Sequence, residues 1–201
     1  MTHKQRRIHN FPQEYPWYKR FFAQIIYFFA STFTSSPNKR ISSSDRAIIR
    51  DTIEAGDIIL VGGKKGLSSF VIGGFFTHNA LYLGDNLVTH APQPDGVRTD
   101  PLDAIFNHYN VFALMRPHYL EKTKQQVITD AEALIGTPYD YEFANDPEKL
   151  YCTEYLKYVF LKSNIKLDIF ESDKILYPST FLESKDLEVI FITEHLEEDT
   201  K

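Results

Sequence analysis

Cysteine is almost absent from this chain: Cys152 is the only one among 201 residues. A single thiol closes no intramolecular disulfide, which excludes disulfide-stapled secreted scaffolds and cysteine-rich zinc modules. A membrane-spanning run is lacking in the apolar N-terminal stretch. Phe21 to Phe33 holds thirteen residues without a charge, short of the roughly 20 a bilayer needs. Net positive charge is lacking too; the total of −5 argues against nucleic acid as the main partner. No internal repeat or low-complexity tract stands out. What remains is 43% apolar and 24% charged residues, an ordinary soluble composition, at a length that suits one domain with a real core.

The charge is unevenly placed. Residues 1–40 carry seven Lys/Arg and one acid, Glu14, whereas the remainder carries 15 against 26. Within this basic leader, Arg20, Gln24, Tyr27 and Ser31 form a polar stripe at helical spacing, opposite Phe21, Phe22, Ile25, Ile26, Phe28 and Phe29. A basic, aromatic-rich amphipathic helix over residues 17–33 suits a membrane surface; docking on the main domain is the alternative. "STFTSSPNKRISSSD" reads as a linker. We therefore expect a leader and linker over 1–40 and a folded domain over 41–201. The expected location is cytoplasmic, peripheral to a membrane if the leader binds one; a periplasmic or signal-anchored chain is the alternative, although no clean cleavage site follows the apolar stretch.

The domain opens with "DRAIIRDTI", a short helix capped by Asp45 or a preceding serine. "GDIILVGG" is a turn followed by a strand, and "KKGLSSFVIGGFF" a glycine-punctuated loop with a short helix. "THNALYLGDNLVTHAP" reads as two strands joined at "GDN". "VFALMRP" and "LEVIFIT" are further strands. "KTKQQVITDAEALIG" is an amphipathic helix ending at Gly136, with Pro138 beyond it as a stop. Strands in one block with helices around them indicate α+β.

Cys152 begins another helix, with Tyr155, Leu156, Val159 and Phe160 on its own face. A free cysteine there either fills an apolar gap or serves as a nucleophile. The positive helix end favours thiolate, so a pKa below the free value of about 8.5 is expected for a nucleophile. A base is then required. With Leu83 opposite Leu87 across a three-residue loop, His90 faces Ala80 and becomes the diagonal neighbour of His78 on one face. A two-residue loop would shift the register and separate the rings. Thiol, base and orienting group together make the general nucleophile arrangement.

The segments "GDIILVGG", "THNALYLGDNLVTHAP" and "GTPYDYEF…LYCTEYLKYVF" resemble the permuted papain-like hydrolases of the NlpC superfamily, over about residues 54–190. "GTPYDYEF", "YCTEYL" and "LYPSTFLES" are most similar to the YiiX/YebB-like branch. The histidine at position 90 resembles the lecithin:retinol acyltransferase-like branch, since the bacterial branch usually carries glutamate there. The resemblance implies a circularly permuted papain-like fold, with an antiparallel sheet packed on helices and the cysteine at a helix N-terminus. It implies Cys152 as nucleophile, His78 as base and His90 as orienter, acting on an amide or ester through a thioacyl-enzyme without a cofactor. The Cys152 backbone N–H is the natural oxyanion donor, and Tyr139 a candidate second one or a packing tyrosine.

The substrate stays open among a small peptide, an amino-acyl amide and a lipid. The basic leader and His90 point to a lipid acyltransferase or phospholipase at a membrane, and the cysteine segment suits either bond. Cys152, His78 and His90 are also three conceivable zinc ligands, but no local spacing such as His-x-x-x-His supports a metal site. A non-catalytic module keeping the same residues is the remaining alternative. Glu154 is expected to complement the helix dipole, and His108, His118 and His195 receive no role.

Overall fold

A computed structural model describes residues 41–63, 76–118, 121–141, 147–171 and 176–193, together with Trp17 and Phe143. The amphipathic leader, the "KKGLSSFVIGGFF" loop over most of its length, and His195 lie outside the described residues.

Helix α1 spans Ser43–Thr52, and its N-cap is Ser42, whose hydroxyl accepts from the Asp45 N–H at 3.0 Å. Strand β1, Ile58–Gly62, follows a turn at Gly56. Asp57, buried at the strand's entrance, takes two N–H donors from Arg116, at 2.9 and 2.8 Å, and one from the Glu54 backbone at 2.8 Å. Asp57 therefore clamps the start of β1 to the strand that carries Arg116.

Strands β2 (Phe76–Gly84), β3 (Leu87–His90) and β4 (Arg98–Pro101) come next, then helix α2 (Leu102–His108) and strand β5 (Val111–Pro117). Helices α3 (Glu121–Glu132) and α4 (Cys152–Lys162) precede two 3₁₀ turns, Asp168–Glu171 and Pro178–Glu183, and strand β6 (Leu187–Ile192) closes the domain. Among the described residues the strands form one six-stranded sheet in the order β4-β3-β2-β1-β5-β6, with every neighbouring pair antiparallel. The α+β reading is borne out.

Both faces of the sheet are covered, which is why β1 is buried along its whole length. Alternation divides the side chains. Ile58, Leu60, Leu81, Ala113 and Met115 face α3 and α4, joining Val127, Tyr155, Leu156, Val159 and Phe160. Ile59, Val61, Ala80, Tyr82, Val88, Phe112 and Leu114 face α1 and α2, joining Ile49, Leu102, Ile105 and Phe106.

The hairpin corrects the expected turn. Asp85 and Asn86 form a two-residue turn, both in the left-handed region at φ 49° and 62°, as the tightest antiparallel hairpins require. That turn alone would pair Leu83 with Val88 and His90 with Leu81, which lies on the opposite face of β2 from His78. The ladder shifts between Tyr82 and Gly84, however, so that Gly84 faces Leu87 while Tyr82 faces Val88 and Leu81 faces Thr89. A bulge adds back one residue. The expected register beyond it is restored, by a different route.

Candidate active site

His78 shares its face of β2 with Ala80 and Tyr82, opposite Val61 on β1. His90, the last residue of β3, follows Val88 on the same face. The diagonal relation brings the rings together: His78 Nε2 and His90 Nδ1 are 2.8 Å apart, buried, with ring centroids at 5.0 Å. Tyr109, just past α2, stacks on His78 at 6.0 Å and 11°. Burial holds the His78 pKa well below its ordinary value, and the electrostatic influence of His90, His108 and Arg98 acts in the same direction. Burial also lowers that of His90, against the pull of Asp100 in the other direction. Both rings are neutral at neutral pH.

Asp100 has no counterpart in the sequence reading. Strand β4 pairs with β3 so that Val88 faces Asp100 and His90 faces Arg98, which makes Asp100 the diagonal neighbour of His90. Its Oδ2 lies 3.0 Å from His90 Nε2 and accepts from Arg98 Nε and Nη2 at 3.0 and 2.6 Å. A polar alternation in "RTD" was the only signal available, and it is too short to announce a strand.

Cys152 begins α4, which packs on the opposite face of the sheet. Its thiol lies near β2: the backbone of Asn79, the residue after His78, is among the groups that favour the thiolate. Among the described residues no hydrogen bond joins the thiol to His78 directly. The structure thus brings His78 to His90 by contact, with Cys152 close to the adjoining residue, Asn79. Tyr109 links the groups further, since it stacks on His78 and lies within electrostatic reach of Cys152.

The thiol corrects the expectation of a low pKa. Cys152 is buried, and desolvation pushes its pKa up to about 11, against the Asn79, Thr153 and Cys152 N–H groups, which favour the thiolate. Removing a small anion from water outweighs the positive helix end here. A neutral thiol and a neutral imidazole are the resting state.

The helix start has no side-chain cap: Tyr151 occupies the N-cap and makes no capping hydrogen bond. The first-turn N–H groups are thus not claimed by a capping side chain. Tyr139, Tyr151 and Cys152 form a small cluster with Tyr141 against it. Burial, and then the nearby Cys152, holds the Tyr139 phenol well above its ordinary pKa, against the opposing effect of the Gln93 side chain, so it stays protonated. Gly96 keeps this segment close: φ is +79°, and a Cβ there would come 2.2 Å from the Thr137 carbonyl. Phe143, at φ 54° and 46% exposed, stands edge-on to Tyr151 with centroids 4.9 Å apart. Glu154, expected to complement the dipole, lies in the first turn and is buried.

A buried thiol at a helix start, beside a sheet whose histidine strand comes earlier in the chain, is the arrangement of permuted papain-like enzymes. The chain belongs to the family of permuted papain-like amidases of the YaeF/YiiX type, C92, whose model matches residues 52–195. Among solved structures it is similar to one described as metalloprotein yiiX from Escherichia coli O157:H7, at 16% identity and a TM-score of 0.57, over 70% of this chain and 97% of that one. No curated protein matches the chain. That relative is called a metalloprotein in its own description. In this chain the ring nitrogens and Asp100 are turned to one another, and among the described residues no group of three His, Cys, Asp or Glu is arranged to hold an ion. Among the described residues, no helix is long and apolar enough to cross a membrane.

Proposed function

We propose that this chain is a cysteine-dependent hydrolase that cleaves an acyl amide through a thioacyl-enzyme, with Cys152 as nucleophile, His78 as base and His90 as its orienter. The observation that carries the reading is the buried 2.8 Å His78–His90 pair, with the backbone of Asn79, the residue after His78, among the groups that favour the Cys152 thiolate.

The base is the ring nitrogen that His90 does not occupy, Nδ1. As sulfur attacks the carbonyl carbon, the thiol proton passes to His78 Nδ1, so a preformed thiolate is not required. The carbonyl electron pair moves to oxygen, and the Cys152 N–H at the uncapped helix start is placed to stabilise that oxyanion. Tyr139, protonated and clustered with Cys152, is the second donor in this reading. The C–N bond then breaks, the amine leaves with the proton from His78, and a thioester remains. Water, deprotonated by His78, attacks the thioester and releases the acid and the thiol.

The substrates proposed are a small peptide or an amino-acyl amide, bound against the aromatic rim of Tyr139, Tyr151 and Phe143. The family description supports amide chemistry; lipid esters enter as a comparison substrate. The test profiles acyl-amides, muropeptides and lipid esters and traps the acylated protein by mass spectrometry. An acyl adduct on Cys152 that is absent in Cys152→Ala and His78→Ala is expected. Amide turnover that persists in Cys152→Ala would overturn the reading.

A further inference from the structure

We propose that Asp100, held by Arg98, is the positioning residue that sets the tautomers of both histidines and leaves His78 Nδ1 as the open base. The inference rests on the thiol-hydrolase reading of the site.

Arg98 places Nε and Nη2 on the same oxygen, Oδ2, that faces His90. Partial desolvation raises the Asp100 pKa, but the bonds from His90 and Arg98 outweigh it and hold the group below its ordinary range. Asp100 is therefore ionised and can only accept. His90 Nε2, 3.0 Å away, must carry a proton. The neutral His90 ring has one N–H, so its Nδ1 is bare and accepts. The nitrogen facing it at 2.8 Å, His78 Nε2, must then donate. Since the neutral His78 ring also has one N–H, its Nδ1 keeps a lone pair. With an ionised Asp100, the reverse tautomers would set a bare nitrogen against a carboxylate. One acceptor at the sheet edge thus fixes the basic nitrogen two residues away.

The same geometry separates an acceptor role from a charge role. All three hydrogen bonds at Asp100 end on Oδ2. In Asp100→Asn the side-chain oxygen must take that place, because an NH₂ there would face three donors. Asparagine therefore preserves the tautomers while removing the charge; alanine removes both.

The test labels the histidines of the full chain with ¹⁵N and records two-bond ¹H–¹⁵N correlations at pH 7.5, which distinguish Nε2–H from Nδ1–H rings. Wild type and Asp100→Asn are expected to show His78 as the Nε2–H tautomer, and Asp100→Ala as a mixture. On an amide substrate, Asp100→Ala should lose about 10²-fold in kcat with KM little changed, the scale of a misplaced base, and Asp100→Asn should recover most of it. A single unchanged His78 tautomer in Asp100→Ala would overturn the proposal, as would an Asp100→Asn variant that resembles alanine in the spectrum. If Asp100→Ala does not fold, Asp100→Val removes the carboxylate and any acceptor in its place and gives the same readout. The spectrum does not depend on turnover, so amide hydrolysis surviving Cys152→Ala would refute the hydrolase reading while leaving the tautomer measurement to decide this one.

Discussion

The hydroxyls of Tyr155 and Thr89 share a buried 2.9 Å hydrogen bond. Tyr155 lies one turn beyond Cys152, and Thr89 immediately precedes His90, so this bond ties the thiol's helix to the histidine strand. Tyr155→Phe leaves the Thr89 hydroxyl, fully buried, without its partner. It should cost about 1–3 kcal/mol of stability, whereas Tyr155→Phe with Thr89→Val should cost less than the sum of the two single changes. Chemical denaturation of the four proteins measures the coupling. Additive losses would mean that the bond does not contribute.

The Cys152 thiol should alkylate slowly at neutral pH. Its pKa is raised to about 11 by burial, and iodoacetamide consumes thiolate. The rate should climb through pH 9 and 10 without a neutral plateau. Amide turnover should behave differently, because its reactive form is the neutral thiol beside neutral His78. Since the His78 pKa lies well below its ordinary value, the acidic limb of kcat/KM should fall below about pH 6.5. An alkylation plateau extending to acid pH would indicate a thiolate–imidazolium pair instead.

The same histidines should make the fold acid-sensitive. Their pKa values are lower in the folded state, so as pH drops below about 6.5 the unfolded chain binds protons that the folded chain does not. Stability should therefore decline from that point downward until the folded-state pKa values are reached. Replacing His78 with Asn should flatten the dependence of Tm on pH between about 7 and 5. An unchanged slope would place the acid-sensitive groups elsewhere.

Much of this site could be read from the sequence. The helix beginning at Cys152 followed from its apolar spacing, and the His78–His90 contact from the hairpin pattern. The register held only because the bulge at Leu83 offset the shorter Asp85–Asn86 turn, and a bulge leaves no mark in hydrophobic alternation. Strand β4 and Asp100 stayed hidden for a related reason: four residues, Arg98–Pro101, are too few for a period, and their partners lie across a loop. The thiol's environment was missed on physical grounds. Helix position is visible in sequence, whereas the burial that raises the Cys152 pKa depends on how Tyr139 and Tyr151 close around it.

His90 offers the sharpest test of the orienting role, and Asp100 changes how that test must be made. His90→Ala removes the acceptor from His78 and should lower kcat by about 10²-fold or more with KM little affected. Glutamate can accept the same hydrogen bond, but in His90→Glu the new carboxylate approaches Asp100, and two adjacent carboxylates do not both ionise readily. His90→Glu alone should thus recover only part of the activity. Adding Asp100→Asn relieves the repulsion and should recover more, giving the order His90→Glu/Asp100→Asn, then His90→Glu, then His90→Ala. A carboxylate beside His78 also stabilises its imidazolium form, so the acidic limb of the pH–rate profile should move upward in the double variant. Steady-state kinetics across pH on one amide substrate decides the matter. Wild-type activity in His90→Ala would show that the 2.8 Å pair orients nothing that the reaction uses.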